Sequence, residues 1–302
     1  MRTPICEILG IDHPVLQAPI GGAAGPALAA AVSNAGGLGC VALTGSGGDE
    51  ARRRIRRTRE LTNRSFAVNV VLAYDADAEI EAIVEEEPTL TSFVWGDPSP
   101  YVDRVHAAGS KVMMTVGSVE EAKKAVGAGV DIIVAQGWEA GGHVRGIVST
   151  LALIPAVVDE VGPVPVVAAG GIADGRGLAA VLALGAEAAW VGTRFLASTE
   201  ANVHPDYRAR VLAATASDTV YSELFDGGWP DAPGRVVRTP LVDEWERCGR
   251  PARGARGAVK AMSSVGLPVA SLSADTMRQP PERTMTATSA CIRFGLDRGS
   301  VW

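Results

Sequence analysis

The 302-residue sequence predicts a single (β/α)₈ barrel that is followed by an additional, mostly helical segment. Eight short apolar runs of strand length recur along the first two thirds of the chain, and segments rich in Ala, Glu and Arg separate them. Their apolar residues are continuous rather than alternating, which indicates strands that are buried on both faces of a parallel sheet. Eight successive units of about 25 residues favour a closed barrel over an open doubly wound sheet.

Each apolar run is a predicted strand: 14–20, 37–43, 66–72, 91–96, 111–117, 131–137, 164–171 and 187–195. The clearest predicted helices between them are 26–36, 118–129, 150–162 and 175–187. Gly36, Gly129 and Gly185 lie where such helices end in a left-handed residue. The pattern stops after Phe195. We therefore predict a barrel core over 1–198, a helical and loop addition packed on it over 199–265, and an irregular tail over 266–302.

Composition excludes several classes of protein. Hydrophobic residues make up 47% and charged residues 21%, which is ordinary for a globular chain, and the formal charge of −6 argues against a nucleic-acid surface. The basic run from Arg52 to Arg59 contains Ile55 and is followed by Leu61, which favours a solvated helix over a phosphate-binding surface. The sequence shows no secretory signal or membrane-spanning stretch, so the cytoplasm is the expected location.

The four cysteines give no sign of a metal site. Cys6, Cys40, Cys248 and Cys291 are widely separated and lack the spacing of zinc ligands. We expect reduced thiols and no bound metal.

Glycines follow the seventh and eighth predicted strands, where barrel enzymes commonly bind a phosphate group. Gly170 and Gly171 let backbone amides approach an anion without a Cβ in the way, and Gly192 with Thr193 adds two amides and a hydroxyl. The alternative is that these glycines only form tight turns. Two such sites on adjacent strands favour a monophosphate site.

A single histidine follows the sixth predicted strand, in the segment AQGWEAGGHVRG. His143 would lie on a glycine-bordered loop over the barrel mouth, where an imidazole can act as general base or acid. The alternative is a hydrogen-bonded loop residue without a catalytic role. We interpret the other three histidines, His13, His106 and His204, as structural.

Three further positions suit a flat heterocyclic ring. Asn69 within the third strand and Gln136 at the end of the sixth carry amides that both donate and accept, as the polar edge of a flavin requires. The turn Pro19-Ile20-Gly21-Gly22 after the first strand offers an apolar contact for a ring face. Core packing is the competing interpretation of all three.

Together, the segments HPVLQAPIGG, AAAVSNAGGLG, AQGWEAGGHVRG, AAGGIADGRG and GTRFLASTEANVHPDY resemble the nitronate monooxygenase family, formerly called 2-nitropropane dioxygenases. The match covers roughly residues 5–215. The resemblance implies a barrel that binds flavin mononucleotide (FMN) and oxidises alkyl nitronates with O₂ to a carbonyl compound and nitrite. It also implies that neutral nitroalkanes can react once His143 has removed their α-proton. In the family, an electron is thought to pass from the nitronate to the flavin before oxygen reacts.

The same resemblance assigns the cofactor contacts. The flavin should lie against Pro19, Ile20 and Gly21, with Asn69 and Gln136 near its ring and Gly141 and Gly142 close to it. Its phosphate should be held by Ala169, Gly170, Gly171, Gly192 and Thr193. Many relatives carry Met where this chain has Ile20, and many end in an Ala-Gly-Gln turn that its carboxyl-terminal segment lacks.

Two other functions remain open at this level. Flavin-dependent NAD(P)H reductases of the enoyl-acyl-carrier-protein or quinone type share these motifs, although no second nucleotide fingerprint is readable. A flavin-binding protein without turnover is the third alternative. A homodimer is compatible with the sequence, which does not determine the oligomeric state.

Overall fold

The computed structural model describes residues 2–225 and 232–250. The described chain divides into two compact units, the first ending at Val203 and the second beginning at His204. The predicted tail over 266–302 and Cys291 lie outside the described residues. The three-part organisation stays a prediction, as do the cytoplasmic location and the homodimer.

The first unit is an eight-stranded parallel barrel, which confirms the predicted fold class. Each strand pairs with its neighbours in chain order, and the last pairs with the first. The strands are β1 (Val15–Gln17), β2 (Gly39–Ala42), β3 (Phe66–Val71), β4 (Leu90–Val94), β5 (Lys111–Val116), β6 (Ile132–Gln136), β7 (Val166–Ala169) and β8 (Ala188–Val191).

The seam between β1 and β2 closes the ring. Leu16 forms a parallel bridge with Leu38, and Gln17 N donates to the Leu38 carbonyl over 2.8 Å. The buried Gln17 side chain adds a further bond, since its Oε1 accepts from Cys40 N at 2.9 Å. A side-chain amide thus takes the place of a ladder bond where β1 is too short to supply one.

Helices follow the strands as predicted. They are α1 (Pro4–Leu9), α2 (Pro26–Asn34), α3 (Gly48–Leu61), α4 (Asp77–Glu86), α5 (Ser99–Ala107), α6 (Val119–Gly127), α7 (Thr150–Val161) and α8 (Gly175–Ala183). The predicted terminal glycines Gly36, Gly129 and Gly185 have φ of 88°, 88° and 95°. At Gly39, a Cβ would stand 1.8 Å from the Ala29 carbonyl oxygen, so only glycine lets α2 pack this closely on β2.

The core has two layers, because successive strand residues point to opposite faces. Outward residues such as Val68, Val112 and Ile133 pack under the helices. Inward residues, including Leu16, Cys40, Met113 and Trp190, fill the barrel.

Helix α1 closes the amino-terminal end of the barrel. Ile5, Cys6 and Leu9 belong to the inner cluster. Thr3 Oγ1 donates to the carbonyl of Glu187, just before β8, at 2.7 Å. The opposite end of the barrel is the one where the predicted site residues lie.

The arginine run lies on α3 and is solvated, as predicted. Its side chains pair with carboxylates on α3 and α4: Arg53 with Glu50 at 2.6 Å, Arg56 with Glu86 at 2.7 Å, and Arg59 with the same Glu86 at 3.0 Å. The basic run is therefore largely neutralised by its neighbours.

The second unit contains α9 (Pro205–Ala213), β9 (Thr219–Ser222), β10 (Gly234–Val237) and α10 (Pro240–Arg247). Strands β9 and β10 pair antiparallel and form a hairpin that no sequence pattern predicted. Within residues 2–225 and 232–250 no helix is long and apolar enough to cross a membrane, and no cluster of potential metal ligands occurs. Cys6 and Cys40 are buried free thiols, while the free Cys248 is exposed.

Candidate active site

Four strand ends meet at the carboxyl-terminal mouth of the barrel. A Cβ at Gly192, after β8, would lie 3.8 Å from the Ile20 side chain after β1. A Cβ at Gly141, in the loop after β6, would lie 2.7 Å from Thr193 Oγ1, and one at Gly170 would lie 3.2 Å from Ala140 N. The structure thus brings together predicted residues from the ends of β1, β6, β7 and β8.

The turn after β7 depends on glycine. Gly170 and Gly171 have φ of 109° and 70°, in the region that side chains disfavour. A Cβ on Gly170 would lie 2.9 Å from Thr150 Oγ1 and 3.0 Å from the Gly137 carbonyl oxygen. This backbone therefore packs against the β6 loop at a distance that no other residue allows.

The amides at these turns are available to a ligand. Within the described residues, the N–H groups of Gly170, Gly171, Gly192 and Thr193 donate to no protein acceptor. Gly171 and Thr193 are exposed, while Gly170 and Gly192 are half-buried. Unpaired amides on two adjacent glycine turns fit a phosphate, since an anion would satisfy several donors at once.

The start of α8 is occupied by its own carboxylate. Asp174 Oδ1 accepts from Arg176 N at 3.0 Å and from Gly177 N at 3.3 Å. The hydrogen bond from the Arg176 guanidinium is the main reason that the pKa of Asp174 is lowered. An anion at this mouth would therefore meet the turn amides and not the first amides of the helix.

A polar network ties the β6 loop to the β7 turn. Thr150 Oγ1 lies 3.0 Å from Glu139 Oε2 and 3.1 Å from the Gly170 carbonyl oxygen. Thr150 N also donates to Glu139 Oε2 at 2.8 Å. Sequence reasoning missed both residues, because these bonds join positions 11 and 20 residues apart in the chain.

Gln136 holds the loop that carries His143. Its Nε2 donates to the His143 carbonyl at 3.0 Å, and its Oε1 accepts from Arg145 N at 3.1 Å. The amide thus uses both of its functions on the backbone either side of Val144. This contact is to the loop, and the predicted contact of Gln136 with a flavin ring stays a prediction.

His143 lies against Trp95, the first residue after β4. The two ring centroids are 6.0 Å apart and the ring planes are inclined by 72°. The Arg145 guanidinium stands over the indole with its Cζ 5.2 Å from the centroid, and its Nε bonds to Glu121 Oε1 at 2.7 Å. Trp95 was missed from the sequence, although an aromatic residue closing an apolar run before Gly96 is visible there.

The other predicted cofactor contacts lie on β3 or at the barrel mouth. Asn69 is buried on β3, opposite β7 in the ring of strands, and its Nδ2 donates to the Ser92 carbonyl at 3.0 Å. Its amide thus ties β3 to β4. The remaining predicted residues lie at the mouth: half-buried Pro19, exposed Gly21 and Gly142, and Ala169, which is buried as the last residue of β7.

The other histidines have structural partners or surroundings. His106 Nε2 lies 2.7 Å from Asp131 Oδ2, and His204 Nδ1 accepts from Asp206 N at the start of α9. His13 is half-buried beside Gly36, and burial lowers its pKa.

The family model for nitronate monooxygenase matches residues 2–82 and 73–288, which is most of the chain. The chain belongs to the nitronate monooxygenase family. It is therefore an oxidoreductase of a family that acts on small molecules, as the sequence motifs predicted.

The proteins to which this chain is similar are named for different reactions. A nitronate monooxygenase from Paraburkholderia phytofirmans is 38% identical, over 75% of this chain and 75% of its own length. A (3aS,4S,5R,7aS)-5-hydroxy-7a-methyl-1-oxo-octahydro-1H-indene-4-carboxyl-CoA dehydrogenase from Rhodococcus jostii is also 38% identical, over 99% of this chain and 87% of its own.

A solved structure supports the same barrel. The nitroalkane oxidase from Streptomyces ansochromogenes superposes with a TM-score of 0.77 at 28% identity, covering 96% of each chain. Membership thus establishes the class of enzyme, while the relatives leave its substrate open.

Proposed function

We propose that this chain is an FMN-dependent nitronate monooxygenase, which oxidises alkyl nitronates with O₂ to a carbonyl compound and nitrite. One observation carries the proposal: the glycine turns after β7 and β8 lie next to the loop that bears His143, at the same mouth of the barrel. Family membership supports the reaction class.

The residues at the mouth fit FMN. The amides of Gly170, Gly171, Gly192 and Thr193, with the Thr193 hydroxyl, would hold the phosphate, because they are donors without a protein acceptor in the described chain. Pro19, Ile20 and Gly21 would face the ring, with Asn69 and Gln136 at its polar edge and Gly141, Gly142 and Ala169 nearby. Bound there, FMN would accept electrons from the substrate and pass them to oxygen.

His143 would act on the substrate's α-carbon. A nitronate has already lost its α-proton, so it needs no base, whereas a neutral nitroalkane must first be deprotonated. The half-buried imidazole lies on a loop that Gln136 fixes from two sides, which suits a general base.

A second function is favoured by one specific comparison. The dehydrogenase relative, whose name gives a coenzyme A thioester, matches 99% of this chain, more than the nitronate monooxygenase relative does. The alternative is therefore a flavin-dependent oxidoreductase of a thioester, with NAD(P)H as partner in the reductive direction.

Anaerobic flavin reduction separates the two functions. The FMN-loaded protein is mixed without oxygen with ethylnitronate, with propionate-3-nitronate or with NAD(P)H, and its absorbance is followed. We expect bleaching by the nitronates, and O₂ uptake with nitrite release once air is admitted. Rapid bleaching by NAD(P)H, turnover of an enoyl thioester or quinone and absence of nitrite would instead support the reductase.

A further inference from the structure

Trp95 has an unusual backbone for a bulky residue. Its φ is 63°, and among the described residues only Glu87 and Arg250 are other non-glycine residues with positive φ. Glu87 ends α4, where a left-handed residue is common. Trp95 ends no helix and is only 7% exposed, so the surrounding structure must enforce its conformation.

The enforcing contact is visible at the next residue. A Cβ on Gly96 would lie 2.4 Å from Leu72 Cβ and 2.7 Å from the Leu72 carbonyl oxygen. The turn after β4 is therefore pressed against the segment after β3. This close packing leaves Trp95 little freedom to adopt another backbone conformation.

The constrained turn directs the indole at the catalytic loop. The ring meets His143 at a centroid distance of 6.0 Å, and Arg145 stands over it at 5.2 Å. Arg145 is itself anchored by Glu121, whose other carboxylate oxygen accepts from Gly117 N at 2.8 Å. Gln136 fixes the loop backbone, but it does not contact the imidazole in these bonds.

We propose that Trp95 is a positioning residue that orients the His143 imidazole for removal of the substrate's α-proton. Packing of the barrel core alone would not require a left-handed tryptophan, because the core residues of the strands take ordinary extended backbone. The inference deepens the proposed function and rests on it for the identity of the proton that is moved.

The positive φ of Trp95 determines which substitutions can replace it. Trp95→Gly removes the ring and suits the positive φ, while Trp95→Phe keeps an aromatic ring of smaller reach. Trp138→Ala, in the same loop as His143, is the matched control because it also deletes an indole at the mouth. Steady-state rates are compared on nitroethane, which must lose a proton, and on ethylnitronate, which has lost it.

For Trp95→Gly we expect kcat on nitroethane to fall roughly tenfold to a hundredfold, and ethylnitronate to be turned over within about threefold of the wild-type rate. Trp95→Phe should recover part of the loss, and Trp138→Ala should change both rates by the same factor. Equal losses on both substrates, or no loss on nitroethane, would overturn the positioning role. If the glycine variant does not fold, the same comparison is made with Trp95→Phe.

A spectroscopic readout is independent of turnover. The chain has four histidines, so the His143 ring resonances can be assigned by their absence from His143→Ala. The ring current of Trp95 should shift them, and Trp95→Gly should return them towards their unstructured positions. Unchanged resonances would refute the contact. Wild-type protein that releases no nitrite from nitronates would refute the proposed function instead.

Discussion

At the scale of the residue, His143 is the side chain whose role can be isolated most cleanly. It follows two glycines, one with φ of 72°, and its loop is bonded to Gln136 on both sides. Its backbone is therefore fixed by one residue and its ring contacts another, Trp95. The two supports can be removed separately by mutation.

Replacing His143 with Ala should slow turnover of neutral nitroalkanes by roughly a hundredfold to ten-thousandfold, because general-base catalysis contributes about that much. Preformed nitronates should be oxidised at close to the wild-type rate. The measurement is nitrite release from nitroethane and from ethylnitronate by the FMN-loaded variant. Equal loss on both substrates would remove the proton-abstraction role.

At the scale of the element, the turn after β7 carries the predicted phosphate contact. Gly171 has φ of 70°, and the nearest atom to a Cβ built on it is Glu139 Cβ at 3.6 Å. There is consequently space for a side chain at Gly171, whereas at Gly170 there is none. This difference makes Gly171 the better position for a test of charge.

We predict that Gly171→Asp weakens FMN binding at least tenfold more than Gly171→Asn, since only the carboxylate repels the phosphate. Both side chains tolerate positive φ better than most, so the pair differs mainly in charge. Fluorescence titration of apoprotein with FMN measures the two dissociation constants.

Gly109→Asp is the control, because Gly109 also has positive φ, has open space around it and lies between α5 and β5, at the end of the barrel away from the mouth. It should leave the FMN dissociation constant within about twofold of the wild-type value. Similar affinities for Gly171→Asp and Gly171→Asn would contradict a phosphate at this turn.

Sequence patterns predicted the elements well, for a physical reason. The apolar runs are buried on both faces, so their continuity marks strands directly, and Gly36, Gly129 and Gly185 mark helix ends through their positive φ. The hairpin β9–β10 was missed because its strands are only half-buried and carry no such run. The contacts of Trp95 with His143 and of Thr150 with Glu139 were missed because each joins residues at least 11 positions apart in the sequence.

In the barrel as a whole, residues that stabilise the fold and residues of the candidate site lie at opposite ends. Helix α1 closes the amino-terminal end with Ile5, Cys6 and Leu9, and the candidate site occupies the opposite end. Changes at one end should leave the other intact, as is general for this fold.

Leu9→Ala tests this separation. Leu9 is fully buried in the inner cluster, so its truncation should lower the free energy of unfolding by about 2–5 kcal/mol. The folded fraction should keep the wild-type kcat/KM for ethylnitronate at a temperature well below its Tm. Denaturant titration and nitrite release measure the two quantities, and a large loss of kcat/KM in fully folded protein would show that the ends are coupled.

The two-layer core has a chemical consequence for sulfur. Cys6 and Cys40 lie in the inner layer without solvent contact, and burial strongly raises the pKa of the Cys40 thiol, which disfavours the reactive thiolate. An oxidant generated at the open mouth would have to cross the packed interior to reach either atom. If the proposed reaction with O₂ takes place at the mouth, the packed interior would protect both thiols from oxidation.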